Sequence, residues 1–312
     1  MNSSTDESFL PHVRATGPLP RRPVVKVRSV AVSPDTAFGC PRIFLGFQHV
    51  YLVISPRARG LSLGINFNPD KSCNFDCVYC EVNRDRRLPR CELDIPAMTG
   101  ELEQMLHLVQ GGGLEELAPF DALPPSLTVL RHVAISGDGE PTTCPAFLQA
   151  VQGIHHLRAS ARSGFFRLVL ITNASGLDRP GVLAGLQLFT PHDEIWAKLD
   201  VGTQAAMDEV NRAEVPLEKI LDNILLVARQ RPVIIQSLFT SVGGKRLSAA
   251  EINAYANRLR DLKQQGARIP LVQVYSASRP TSSDRCHHLG LSELSQIARA
   301  VRSISGLHAE VF

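Results

Sequence analysis

The sequence has no apolar run near the roughly 20 residues that a membrane-spanning helix needs. No apolar segment of signal-peptide type follows the polar start Met1 to Glu7 either. These two absences lead to the expectation of a cytoplasmic chain with no membrane partner. Neither sign of charge dominates: 33 Lys and Arg against 30 Asp and Glu leave a formal charge of +3. That is too slight to establish a nucleic-acid partner through electrostatics, so RNA binding stays open. Aromatic residues are scarce at 6%, with a single Trp. There is no even-numbered cysteine framework, because seven cysteines are an odd count. In a reducing compartment, clustered thiols point to metal binding or catalysis rather than to disulfides.

A chain of 312 residues with 44% hydrophobic composition can bury a full core, and α/β barrels of this size often form one domain. Residues 1 to about 25 carry Pro11, Pro18, Pro20 and Pro23, which block regular elements, so this stretch reads as a loosely ordered, arginine-bearing lead-in. Val24 to Val32 and Ile43 to Ile54 are apolar and β-branched, as short strands or an extended cap beside a barrel would be.

From Leu61 a repeat begins. Strands are expected at Leu61 to Asn68, His132 to Ser136, Phe166 to Thr172, Glu194 to Val201, Val233 to Phe239 and Leu271 to Ser276. Helices are expected between them at Thr99 to Val109, Cys144 to Leu157, Gly181 to Leu188, Leu217 to Arg229 and Ser248 to Gln264. A terminal helix, Ser292 to Ser303, has Ser292 as its expected cap. Six strands alternating with helices argue for a parallel sheet with right-handed crossovers, an α/β partial (β/α)6 TIM-like barrel. The expected organisation is an N-terminal extension and cap over 1–58, a core barrel over 59–280 and a C-terminal loop and helix over 281–312. In such barrels the chemistry gathers at the carboxyl ends of the strands.

The stretch after the first strand carries Cys73, Cys77 and Cys80 on one short loop, spaced x3 and then x2. Three thiolates can hold three corners of a metal centre and leave a fourth position for something exogenous, whereas structural zinc sites and ordinary ferredoxin clusters are closed by a fourth protein ligand. The alternatives are a structural zinc or a group of buried cysteines. Phe75 and Tyr79 stand in the same loop as expected packing neighbours of such a centre. After the second strand comes Ser136-Gly137-Asp138-Gly139-Glu140-Pro141-Thr142, whose glycines allow close backbone approach and whose acids can accept from a cationic amine. A plain glycine-rich turn is the alternative. Later strand ends present Asn173, Lys198, Asp200 and Gln236, which could equally be ordinary caps or solvated loops. Lys198 has a second possible role as a buried amine of depressed pKa that forms a Schiff base or moves a proton. The remaining cysteines, Cys40, Cys91, Cys144 and Cys286, lack paired spacings and read as isolated thiols. Cys286-His287-His288 is either a metal fragment or part of a lid.

The cysteine spacing, with an aromatic residue just before the last cysteine, resembles the cluster loop of the radical S-adenosylmethionine (radical SAM) superfamily. The longer run from Arg59-Gly60-Leu61-Ser62-Leu63-Gly64-Ile65-Asn66 through Lys71 to Cys80 looks like the branch grouped with wyosine-type tRNA base synthases. The resemblance covers roughly residues 59–280. It implies that Cys73, Cys77 and Cys80 hold a 4Fe-4S cluster, and that S-adenosylmethionine (SAM) completes the fourth iron through its methionyl amine and carboxylate. It further implies that Gly137, Asp138, Gly139 and Glu140 receive the methionyl amino group. Asn173, Lys198, Asp200 and Gln236 then sit where contacts to the rest of SAM are expected. The implied reaction is reductive cleavage of SAM to methionine and a 5′-deoxyadenosyl radical that abstracts hydrogen from a substrate, with a tRNA base as one candidate. Reduced flavodoxin or ferredoxin is the implied electron donor. An activase or peptide-modifying enzyme with a protein substrate is an alternative, and a non-catalytic metal-binding module is a third.

Overall fold

The computed structural model describes residues 45–84, 91–118, 120–160, 164–277 and 279–312. The proline-rich lead-in, the strand expected over Val24 to Val32 and Cys40 lie outside the described residues. In chain order the elements are β1 (Val50–Ser55), β2 (Gly60–Asn66), α1 (Ile95–Gln110), α2 (Pro125–Thr128), β3 (Leu130–Ser136) and α3 (Phe147–Ala159). Next come β4 (Leu168–Thr172), α4 (Pro180–Leu186), β5 (Glu194–Lys198), α5 (Gln204–Val210), α6 (Leu217–Ala228) and β6 (Ile234–Leu238). The chain finishes with β7 (Thr240–Val242), α7 (Ala249–Gln264), β8 (Val272–Tyr275), β9 (Cys286–His288), α8 (Leu291–Ser305) and β10 (Ala309–Val311).

The main sheet runs in the order β1-β2-β3-β4-β5-β6-β8-β10. Every pair is parallel except β1 with β2, which forms an antiparallel hairpin. The six expected strands are all present as β2, β3, β4, β5, β6 and β8, and the sheet is the expected partial TIM-like barrel. Two strands extend it. The stretch ending at Ile54, expected as a strand or a cap beside the barrel, is an edge strand of the sheet itself. Its entry is fixed by Glu101 of α1, whose carboxylate accepts from the backbone N–H groups of Gln48, His49 and Val50 at 2.7–3.0 Å. At the other edge, β10 pairs with β8, Ala309 opposite Val272. The sheet curls until its two edges meet, and Arg59 at the β1–β2 turn reaches Glu310 of β10 at 3.0 Å.

Burial explains the strand sequences. All seven residues of β2 are buried, as expected for a strand covered on both faces. A Cβ on Gly64 would lie 2.2 Å from the ring of Tyr51 on β1. Helices cover the outside of the sheet, with Met98, Leu102, Met105 and Leu106 forming the buried stripe of α1. That helix starts at Ile95, four residues before the expected Thr99, because Asp94 caps it by accepting from the Ala97 N–H at 2.9 Å and Pro96 fits its first turn. The terminal helix also begins early. Glu293 reaches back to accept from Gly290 N–H at 3.0 Å, so Gly290, and not Ser292, is the cap residue. Among the described residues, no helix is long and apolar enough to cross a membrane.

Candidate functional site

The loop that leaves β2 carries Cys73, Cys77 and Cys80, all free thiols, and all three line one cavity of about 470 Å³. The same cavity is lined by Gly137, Gly139 and Glu140 after β3, Thr172 and Asn173 at the end of β4, Lys198 at the end of β5, Gln236 in β6 and Tyr275 at the end of β8. The curl of the sheet therefore gathers the carboxyl ends of five parallel strands around the cysteine loop, as a barrel of this kind does. Phe75 and Tyr79 are buried and also line the cavity, as expected.

The glycines also answer a steric constraint within the fold. A Cβ on Gly139 would lie 1.8 Å from the Ser72 carbonyl oxygen, and one on Gly137 would lie 2.2 Å from Asn66 Oδ1, with Gly137 at φ +129°. Gly139 has no room for a side chain because the start of the cysteine loop packs directly against this turn, and Gly137 has none because Asn66 at the end of β2 does. Asn66 completes the join by donating to Asp138 Oδ2 at 2.9 Å and accepting from the Asp138 N–H at 3.1 Å.

Glu140 is buried and fully engaged. It accepts from the Thr142 N–H and hydroxyl, from the Thr172 hydroxyl at 2.5 Å and from the Asn173 N–H at 2.6 Å. Burial raises its pKa, and these donors oppose the rise. Asn173 in turn donates to Asn74 Oδ1 at 3.0 Å, tying the end of β4 to the cysteine loop. Gln236 donates to Gln273 Oε1 at 3.2 Å inside the barrel.

Asp200 sits differently. It does not line the cavity; its Oδ1 accepts from Leu238 N–H at 2.8 Å, and its Oδ2 accepts from the Tyr79 hydroxyl and from Asn211 Nδ2 at 2.8 Å. Asn211 also approaches Cys77 Sγ at 3.6 Å. The carboxylate thus clasps the cysteine loop from behind. Lys198 donates to the Tyr275 hydroxyl at 3.1 Å and lies 3.6 Å from Asp200. Burial lowers its pKa, but the charge of Asp200 outweighs that and raises it above the ordinary lysine value, the direction opposite to the depressed amine that is one of the two roles open to Lys198 from sequence.

Arg84 carries no motif signal. Its Nη1 donates to Cys80 Sγ at 2.8 Å and its Nη2 to the Asp138 carbonyl at 2.9 Å, joining the cysteine loop to the glycine turn a second time. Asn211 is equally silent in the sequence, since it follows α5, a short helix that no local pattern announces. Cys91 is exposed, Cys144 buried and Cys286 half-buried, each apart from the loop. Cys286 to His288 form β9, paired with β7, and His288 reaches the cavity.

The donor set suits a multi-iron cluster. Among the described residues, no three His, Cys, Asp or Glu side chains converge on one metal ion. The three loop thiols line one cavity, where a 4Fe-4S cluster could take one thiolate on each of three irons. Burial pushes the Cys73 thiol up to about 12 and the Cys77 thiol up to about 11, so cation binding must displace protons from both.

No family model matches the chain. A curated relative from Helicobacter pylori, a UPF0026 protein, is 25% identical over 237 residues, covering 75% of this chain and 67% of the relative. Three solved structures share the fold. A radical SAM methyltransferase from Sphaerobacter thermophilus aligns with TM-score 0.59 and 13% identity over 84% of this chain and 68% of its own. Streptococcus suis SuiB bound to S-adenosylmethionine aligns with TM-score 0.56 and 14% identity over 82% of this chain and 51% of its own. TYW1 with a lysine-pyruvate adduct bound aligns with TM-score 0.52 and 14% identity over 82% of this chain and 84% of its own. In fold, this chain is similar to radical SAM enzymes, and in sequence to the UPF0026 proteins.

Proposed function

We propose that this chain is a radical SAM enzyme in which Cys73, Cys77 and Cys80 hold a 4Fe-4S cluster and the adjoining cavity binds S-adenosylmethionine. The observation that carries this reading is three free thiols on one loop, facing a cavity that the Gly137–Glu140 turn also lines. When bound, such a cluster supplies the electron that cleaves SAM into methionine and a hydrogen-abstracting 5′-deoxyadenosyl radical. The chain's own residues bind, orient and exclude water. Main-chain groups of Gly137 to Glu140 and the wall formed by Asn173 and Gln236 take the polar parts of SAM. Lys198, as an ammonium, offers a cation to a carboxylate. Phe75, Tyr79 and Val82 shield the thiols from solvent. Asp200 and Asn211 act one step away by fixing the loop.

Reduced flavodoxin or ferredoxin supplies the electron in this reading. The substrate in this reading is a tRNA base, with a polypeptide as the alternative; TYW1 and SuiB bound to precursor peptide SuiA both share the fold. Co-purification with RNA or with a polypeptide separates the two. The reaction class is tested by anaerobic reconstitution with iron and sulfide, followed by reduction in the presence of SAM. The expected result is about four irons per chain, with 5′-deoxyadenosine and methionine formed. A Cys73→Ala, Cys77→Ala, Cys80→Ala variant should show neither. A wild-type chain that holds no cluster, or holds one and releases no 5′-deoxyadenosine, overturns the proposal.

A further inference from the structure

The cavity continues past the cysteine loop into the barrel lumen, where its wall includes Arg57 from the turn between β1 and β2. That turn precedes β2, while the cysteine loop follows it, so Arg57 is rooted at the other end of β2 and its side chain reaches Tyr275 at the end of β8. Its guanidinium carbon lies 4.2 Å from the ring centroid of Tyr275, a cation–π contact that consumes none of its N–H donors.

Four cationic side chains of Arg or Lys line this cavity, and three of them are occupied. Arg84 donates to Cys80 and to two carbonyls; Lys198 is paired with Asp200 and Tyr275; Arg279 meets Glu81 at 3.3 Å. Arg57 alone has neither a hydrogen bond nor an ion pair among the described residues, and its Nε is shut off from solvent with no acceptor. Arg57 as a whole is half-buried, and a polar N–H closed off from water with no acceptor is destabilising until an acceptor arrives. His132 stands nearby, its pKa lowered to about 4 by burial and then by Arg167 and Arg57, and Trp196, in edge contact with His132 at 5.2 Å, gives its N–H to Glu194.

We infer that the part of the cavity beside Tyr275 is an anion-binding subsite, in which Arg57, stacked on Tyr275, takes a carboxylate or phosphate group of the substrate in a forked pair of hydrogen bonds. This rests on the reading of the same cavity as the substrate chamber. SAM, anchored at the cysteine loop, would leave this part to the substrate.

The test is calorimetric titration of the full chain, as purified and after reconstitution, with inorganic phosphate and separately with acetate at constant ionic strength. Saturable binding of at least one anion is expected, and the one that binds identifies the source as phosphate ester or carboxylate. Arg57→Gln should weaken it roughly tenfold or more, the order of a charge-assisted hydrogen bond, while Arg57→Lys should retain part of it. Thermal melts confirm that both variants are folded. No saturable binding of either anion, equal binding by Arg57→Gln, or displacement of the bound anion by SAM overturns the inference. Anion binding is read separately from 5′-deoxyadenosine formation. Loss of the first with the second intact refutes the subsite alone; the converse refutes the radical reading alone.

Discussion

Arg84 places its guanidinium Nη1 2.8 Å from Cys80 Sγ, so a fixed positive charge donates a hydrogen bond to one of the three loop thiols. Hydrogen bonds and positive charge at a ligating sulfur stabilise the reduced, more negative form of a cluster. Replacing Arg84 with Gln is expected to lower the reduction potential of the reconstituted protein. A shift of roughly 60 mV corresponds to about 1.4 kcal/mol, within the range of one charged hydrogen bond. An EPR-monitored redox titration measures it, and an unchanged or raised potential contradicts the assignment.

Gly139 faces a carbonyl that leaves no room for a side chain. Gly139→Ala is expected to destabilise the fold by about 1–3 kcal/mol, the usual range for overpacking, and to reduce iron retention by separating the turn from the cysteine loop. Gly181, in the first turn of α4 with open space where a methyl would sit, is the matched control. Gly181→Ala should stabilise by about 0.5–1 kcal/mol through helix propensity. Urea denaturation and iron content report both.

The Asp200 carboxylate answers three buried donors and one ammonium. Asp200→Ala leaves these groups without a partner and is expected to cost about 3–5 kcal/mol. Asp200→Asn, which keeps one acceptor oxygen, should cost less. If both variants unfold at the wild-type denaturant concentration, the clasp is not holding the loop.

His132 sets a pH dependence. Burial, then Arg167 and Arg57, lower its pKa to about 4, whereas an unfolded imidazole titrates near 6.5. Between these values the unfolded chain binds a proton that the folded chain does not, so stability rises with pH across this window. The contribution, on the order of 3 kcal/mol, is present above pH 6.5 and lost as pH falls toward 4. Melting temperature between pH 4 and 7 should rise with pH in the wild type and rise less in His132→Gln. Parallel profiles would show that His132 does not titrate in this way.

The repeat of strands and helices is legible because β2, β3, β4, β5, β6 and β8 are buried runs separated by helical stripes. Cys73, Cys77 and Cys80 are legible because their spacing is local. What the sequence conceals depends on distance along the chain. β10 is three residues long and is stabilised by pairing with β8, which no local pattern announces. Asn211 meets Cys77 and Tyr79 across more than 130 positions. Asp200 stands only two positions after Lys198, but alternate residues of an extended chain need not pair, and only the fold fixes the 3.6 Å between their charged groups. The need for glycine after β3 is visible locally, but the partner that imposes it is the cysteine loop, more than 60 positions earlier.

The two edges of the main sheet meet through side chains, Arg59 with Glu310, and not through a ladder of backbone hydrogen bonds. Both groups are solvent-exposed, and such a pair contributes about 0–1 kcal/mol and is weakened by salt. The barrel therefore has a seam much softer than the rest of its wall. Salt would weaken that pair without breaking any strand pairing, leaving the contacts of Arg57 with Tyr275 and of Arg59 with Phe312 to hold the edges together.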